Sequence, residues 1–587
     1  MLDIRTSEPD TISITAESPF FDDFPYEDVL PDTNKWFIRD IDFRVPRVVR
    51  NAAINPPSMG TLRFDGLKRD GIPYETLLPT SGLTDRLLSH YLDLSGFDPA
   101  DNLTLYLYVE AGGRSESPES TDSFRVYLNT VSDTFLLASV GGDVPNGQTW
   151  ISVPITRAEY FSKLSQIVLE SEGSQNGLLD VWLVDYIYLG KEWPGGIGSL
   201  EDQALIRLES SPVEPYFALP AKLYQQAVGW QSPYEISARQ NASTPFNGSI
   251  YTEWSNPASS PVSPFFSTLN VQIPGNSTEL IFSPAQAPQI PEGFERWTSL
   301  NYLVGNTDRT PDNDTLRTFV PVDSLIGYDD GEPDNVIGLN KPLSLGIRFD
   351  LPSPDTVSAV WMHFSPLLFV NGVNGKITYL EGKAFRFRIW NYPHPDSFIV
   401  EQVVNMNVTY GVEGEYIRLE LTDPKAVPAT FWAGFQQLDE IPIGLGLDSS
   451  YDRDAWTYRD SLGYWVNTRV DGAPMIRIEL LTNAGSPLAS NDPPVFSDLS
   501  HSPSLLGNRI HKGTSLRIHN LFGHTTYKGS LLDQRGRSLF AVERIRPSDE
   551  LHVEIPWEVS EGLYIWRHEW RVNGQTYIHS ERLLLHP

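Results

Sequence analysis

Short runs in which apolar and polar residues alternate recur along this chain. Leu103-Thr104-Leu105-Tyr106-Leu107-Tyr108-Val109 and Ser123-Phe124-Arg125-Val126-Tyr127-Leu128 repeat with the period of a strand that buries one face. Val181-Trp182-Leu183-Val184-Asp185-Tyr186-Ile187-Tyr188-Leu189 is almost continuously apolar with one acid inside, as expected of a strand covered on both faces. Further strands are predicted at Leu345–Phe349, Val357–Phe364, Phe385–Trp390, Thr430–Phe435 and Met475–Ile478. Helical periodicity is scarce: Arg157–Leu164 is predicted to hold one or two turns, and the whole chain under about 10% helix. The fold class is all-β, as tandem β-sandwiches.

Turn residues set the organisation. Ser255-Asn256-Pro257-Ala258-Ser259-Ser260-Pro261 reads as loop, and Asn573-Gly574 is a strong hairpin signal. Gln534-Arg535-Gly536-Arg537, flanked by apolar residues, predicts another hairpin turn, with Gly536 supplying positive φ. Four modules result: 1–195, 196–322, 323–482 and, after a linker at 483–509, a small β-domain at 510–587.

Composition sharpens this picture. A length of 587 residues suits roughly three to five domains, and 46 Pro, 43 Gly and 12% aromatics suit sandwiches rather than bundles. A net charge of −31 argues against nucleic-acid partners and against anionic lipid. The chain has no Cys, which excludes disulfides, thiolate metal sites and Cys nucleophiles. No run of about 18 apolar residues predicts a membrane span. Met1–Thr6 holds no apolar signal core, so an exported chain would carry its signal peptide outside these residues.

The C-terminal module carries an ordered set of motifs: the turn Asp533-Gln534-Arg535-Gly536-Arg537, then Gly562-Leu563-Tyr564, then the Gly574 turn and the apolar end Leu583-Leu584-Leu585. It resembles the C-terminal sorting domain of proteins exported by the type IX secretion system of Bacteroidetes. The family's usual opening Asn-Pro is absent; Leu499–Ser504 holds Pro503 with no Asn before it. The resemblance makes Gly536, Arg537, Gly562, Tyr564 and Gly574 the sorting motif. It also implies the type IX machinery as partner and an extracellular or outer-surface location.

The first module resembles a domain recurrent in secreted Bacteroidetes proteins. The matching stretches are Phe20–Phe24, Pro31–Trp36, Asn55-Pro56-Pro57-Ser58-Met59-Gly60, Phe64–Leu67, Gly71–Tyr74, Leu92–Gly96 and Asp180–Tyr186. This implies a jelly-roll-like sandwich and no particular activity. The second module, ending Asp312-Asn313-Asp314-Thr315-Leu316, resembles immunoglobulin-like spacers. The third, opening Tyr328-Asp329-Asp330-Gly331, resembles a second jelly-roll-like sandwich of the same secreted proteins.

Chemistry is sparse. The chain contains no G-x-S-x-G elbow, H-E-x-x-H helix or phosphate loop. A glycosidase needs only two carboxylates, and 75 acids give no reason to single out a pair. Asp329, Asp330, Glu332 and Asp334 are the calcium candidate, with Asp452 and Asp454 behind them; a solvated turn or hairpin explains the same residues. Eight of the 11 histidines follow residue 500, without metal-ligand spacing. Among 15 tryptophans, Trp182, Trp361, Trp390 and Trp432 sit in predicted core strands. Trp36, Trp150, Trp193, Trp230 and Trp254 lie near loops, where they could stack on sugars. The expectation is a secreted, non-catalytic surface protein for adhesion, scaffolding or binding of glycans or a surface protein, with no cofactor but calcium. The alternatives are a secreted hydrolase with an unrecognised carboxylate site, and an accessory protein of gliding or the export apparatus.

Overall fold

A computed structural model describes residues 11–481 with breaks, the longest at 192–201, 224–234, 256–266, 283–295, 306–312 and 405–415. Beyond residue 503 it describes the strands of the C-terminal region. The chain divides into two compact units, Met1–Ala484 and Gly485–Pro587. Strands dominate both. The helical turn expected within Arg157–Leu164 is one 3-10 turn, Ala158–Tyr160.

The first sandwich pairs two antiparallel sheets. One, of six strands, runs in the order Gln148–Pro154, Leu103–Ala111, Trp182–Lys191, Gly60–Phe64, Arg47–Arg50, with Phe20–Asp22 also on Trp182–Lys191. The facing sheet orders Ser81–Leu88, Gln166–Ser174, Ser123–Asn129 and Thr134–Gly141. Alternation decides which side chains meet between them. Phe124, Val126 and Leu128 are buried while their neighbours are half-exposed. Leu103, Leu105, Leu107 and Val109 join them in one core with Trp182, Phe64 and Trp36.

Among the described residues, the second module forms seven strands, in sheets of three and four. Its Thr315–Pro321 strand is where the Asp312–Leu316 resemblance placed one. In the third module Phe385–Asn391, Thr430–Gln437 and Ser344–Asp350 lie side by side in a six-stranded sheet. Ser344–Asp350 and Thr430–Gln437 meet at a glycine pair, Gly346 opposite Gly434. The two modules share one apolar core running from Leu205 to Leu480, into which Met59 of the first module also packs. Tyr216 stacks on Tyr328 with ring centroids 4.7 Å apart, at the seam between them.

In the C-terminal unit Thr526–Leu532 pairs with Ser538–Ile545, and Gly562–Val572 with Gln575–His586. Val572 pairs with Gln575; Asn573 and Gly574, the predicted turn between them, lie outside the described residues. Leu531, Val553, Tyr564 and Trp566 are buried.

Candidate functional site

The outer face of the six-stranded sheet of the first sandwich is aromatic. In strand Leu103–Ala111 the leucines point inward, so Tyr106, Tyr108 and Glu110 point outward. Strand Trp182–Lys191 pairs with it, and its register slips between Asp185 and Tyr188. Tyr186 there has φ 55°, in the left-handed region. A bulge of this kind places Asp185 and Tyr186 on the same outer side, while Val184 and Ile187 both face the core. Two cross-strand rows follow. Ser152, Tyr106, Tyr188 and Phe21 form one, by register. Trp150 and Tyr108 begin the other. The Trp150 ring stands edge-on to Tyr108 at 5.5 Å and to Tyr186 at 5.6 Å, and Phe21 is edge-on to Tyr186 at 4.9 Å. Trp150 and Phe21 stay half-buried, and Ser152 is exposed.

Polar groups flank these rings. The Tyr108 hydroxyl donates to Glu110 Oε2 at 2.7 Å and also reaches Gln148 Oε1. Glu110 Oε1 accepts from the Ile54 N–H at 2.7 Å. Asp185 accepts from the Ser58 N–H at 2.9 Å and from its hydroxyl. Burial, reinforced by Asp23, pushes Asp185 well above the usual carboxylate range. The Asn55–Gly60 motif is therefore a clasp: Ser58 holds the bulge, and Met59 enters the neighbouring core.

The acidic loop 329–334 does come together, as an internal joint. It is not a hairpin: its flanking strands, Leu325–Ile326 and Asn335–Ile337, belong to different sheets. Asp329 is fully buried and paired with Arg477 at 2.7 Å, and it also accepts from the Tyr416 hydroxyl. Asp330 accepts from Asn51 Nδ2 at 2.8 Å, and Glu332 from the Arg50 N–H at 3.0 Å, so the first sandwich grips this loop. Asp334 accepts from the Ser449 N–H at 2.9 Å, and Asp448 accepts from the Asp330 N–H at 2.8 Å. Burial first, then Glu332, pushes Asp330 up to about 7. Burial, then Asp330, does the same to Asp334, also to about 7. Burial raises Glu332, and burial with Asp330 and Asp334 raises Asp448. Asp448 is the member that sequence spacing missed, because it arrives from 118 residues away. Asp452 and Asp454 lie outside the described residues.

Another carboxylate group has the geometry of a cation site. Oxygens of Glu116, Glu119 and Asp180 lie within 4.8 Å of one another. The Asp180 N–H donates to Glu116 Oε2 at 2.8 Å. Burial, then the contact with Glu119, pushes Asp180 up to about 8. At the border with the second module, burial, then Asp202 and Asp22, pushes Asp23 up to about 8.

Other predicted residues fall as follows. Tyr564 is buried in strand Gly562–Val572, which Gly562 opens; Gly536, Arg537 and Gly574 lie outside the described residues. Trp182, Trp390 and Trp432 are core, and Trp361 is half-buried, its Nε1 donating to Glu479 at 2.7 Å. Trp36 is not at a loop surface. It is fully buried, with Nε1 donating to Asp22 Oδ2 at 2.6 Å, because the turn before it folds the ring beneath the sheet. Trp193 and Trp230, and the side chain of Trp254, lie outside the described residues. Among the described residues, no helix is long and apolar enough to cross a membrane.

No family model matches the chain, and no curated protein is significantly similar to it. Among solved structures, CBM27-1 of Caldicellulosiruptor saccharolyticus, determined with mannohexaose, aligns at 14% identity over 30% of this chain and 91% of that one, with a TM-score of 0.19. A β-glucuronidase of glycoside hydrolase family 2 aligns at 12% identity over 54% of this chain, TM-score 0.21. A Bacteroides uniformis β-glucuronidase aligns at 13% over 43%, TM-score 0.20. The alignments span 32% and 28% of those two enzymes. At these scores the likeness has no bearing on function, and the all-β assignment rests on the sheets themselves.

Proposed function

We propose that this chain is a non-catalytic surface protein that binds a neutral glycan on the outer face of its first sandwich, and that its C-terminal unit directs export through a type IX system. The observation that carries the binding half is Trp150. Its ring is held edge-on by Tyr108 and Tyr186, yet it remains half-open beside exposed Ser152. A ring fixed by its neighbours offers a face to sugar C–H groups at little entropic cost, and Gln148 and Ser152 supply partners for hydroxyls. A net charge of −31 favours neutral over anionic sugars. The export half is supported by the ordered motifs from Asp533 to Leu585.

Calorimetric titration of the full chain against soluble neutral polysaccharides tests the platform. Trp150→Ala should weaken binding by about tenfold or more, and Trp150→Phe should retain part of it. Both variants should melt cooperatively. Unchanged affinity in Trp150→Ala, or no binding across the panel, would discard the platform. Turnover abolished by one carboxylate change would replace this reading with the hydrolase.

A further inference from the structure

Histidine gathers in the C-terminal unit, and strand register sorts it. Strands Gly562–Val572 and Gln575–His586 pair antiparallel from Gly562 with Leu585 to Val572 with Gln575, without a slip. Within that ladder His568 stands directly opposite His579, and Trp566 opposite Glu581. Opposed residues lie on the same side of a sheet, and so do residues two apart on one strand. His568, His579 and Glu581 therefore share one side of the strand pair. It is the side of Tyr564 and Trp566, both buried. Beyond His568 the row continues to Gly529 of strand Thr526–Leu532, which is buried and brings no side chain to that position.

Other histidines placed by register make a different set. His511 pairs with His586 in a parallel ladder, and the next pair on that side is Arg509 with Leu584. By alternation His586 lies on the opposite side of its strand from His579 and Glu581. His552 stands opposite Arg517, and His519 opposite Ser504. Spacing along the sequence hides the first set, because the predicted turn Asn573-Gly574 falls between its two histidines.

We propose that His568, His579 and Glu581 hold a transition-metal ion, zinc by preference, that staples the last two strands of the chain together. Two imidazoles and a carboxylate are zinc ligands, and the imidazoles make the set a poor match for calcium or magnesium, which take oxygen. Opposed positions have Cβ atoms about 4.5–5.5 Å apart, and diagonal ones about 7–8 Å. Side chains as long as His and Glu can close those spans on one ion at about 2.0–2.2 Å. Three protein ligands leave a fourth position for water or a group from outside the chain. An ion held by both strands stabilises the paired form over the unfolded one. This site is separate from the aromatic face of the first sandwich and from the acidic loop 329–334.

The test uses the full chain, stripped with chelator and kept in excess magnesium so that clusters of carboxylates alone do not compete for the probe. Zinc binding is read by titration calorimetry, and cobalt(II) in its place by visible d–d absorption, which is strong for four-coordinate cobalt. Wild type should bind one zinc per chain, show the cobalt spectrum and gain a higher melting midpoint with zinc. His568→Gln and His579→Gln should lose the cobalt spectrum. Glu581→Gln should bind zinc at least about tenfold more weakly, since even groups that only support a ligand are worth that much. His511→Gln should behave as wild type. On the wild type alone, zinc should protect His568 and His579 from carbethoxylation, mapped by mass spectrometry, and leave the labelling of His511 unchanged. That measurement decides the matter if a variant does not fold. A wild type without the cobalt spectrum, a spectrum that persists in both histidine variants, an equal loss in His511→Gln, or zinc protection of neither histidine would each overturn the site. A melting midpoint indifferent to saturating zinc would overturn the staple.

Discussion

At the scale of single residues, this molecule is held at its joints by buried acids. Asp330 and Asp334 each anchor backbone N–H or side-chain donors across sheets, and both are pushed up to about 7. An unfolded Asp titrates near about 3.9. Between those values the folded chain keeps protons that the unfolded chain has released. The contribution of these groups is therefore full below about pH 4 and declines as pH rises towards 7. Asp334→Asn keeps an oxygen to accept from Ser449 but cannot ionise. Its melting midpoint should exceed wild type at pH 8 and fall back towards it at pH 5. Parallel wild-type and variant profiles across that range would contradict the assignment. The sequence made the 329–334 cluster visible because its acids are contiguous. It could not show Asp448 and Arg477, whose strands pair beside the loop, or Asn51, which reaches it from the first sandwich. Nor could it show that Trp36 lies beneath the sheet, since Asn34-Lys35-Trp36 reads as loop whichever way the ring turns.

At the scale of elements, alternation identified most of the strands named from sequence; Ser123–Asn129 buries one face as its pattern predicts, whereas Leu103–Ala111, with the same alternation, is buried on both faces. The pairings of Thr526–Leu532 with Ser538–Ile545 and of Gly562–Val572 with Gln575–His586 were legible because a Gly-containing segment between two apolar runs leaves few other pairings. The bulge at Asp185-Tyr186 was not legible, because a register slip inside a continuously apolar strand changes which face a residue takes without changing the pattern. That slip brings Tyr186 and Asp185 to the same outer face as Tyr108 and Trp150. Gly434 illustrates a different constraint. An added Cβ there would lie 1.9 Å from the Leu345 carbonyl and 2.8 Å from Gly346 Cα, both backbone atoms that the sheet holds in place. Gly434→Ala should therefore cost roughly 3 kcal/mol by forcing Thr430–Gln437 away from Ser344–Asp350. Denaturant unfolding would measure it. A loss under about 0.5 kcal/mol would show that the strands can separate freely at this point.

At the scale of the whole molecule, the modules of Met1–Ala484 are not beads on a string. The second and third share a core, the first contributes Met59 to it, and Arg50 and Asn51 grip the loop of the third. Sequence reading suggested successive modules because turn-rich stretches separate the apolar runs; that the cores merge depends on contacts with no local signature. The described apolar cores of that unit draw on no residue beyond Leu480. The C-terminal unit buries its own Leu531, Val553, Tyr564 and Trp566. A chain ending at residue 484 should therefore unfold cooperatively, with a melting midpoint within about 2 °C of the same transition in the full protein. Calorimetry would check it, and a broadened or missing transition would show that the larger unit depends on the smaller. The same truncation addresses export. If the C-terminal unit is the sorting signal, a folded chain ending at 484 should accumulate in the periplasm of its native host, while the full chain reaches the surface. Surface display of a truncated chain that melts normally would sink the export reading and leave the glycan platform at Trp150 untouched, because the two rest on different units.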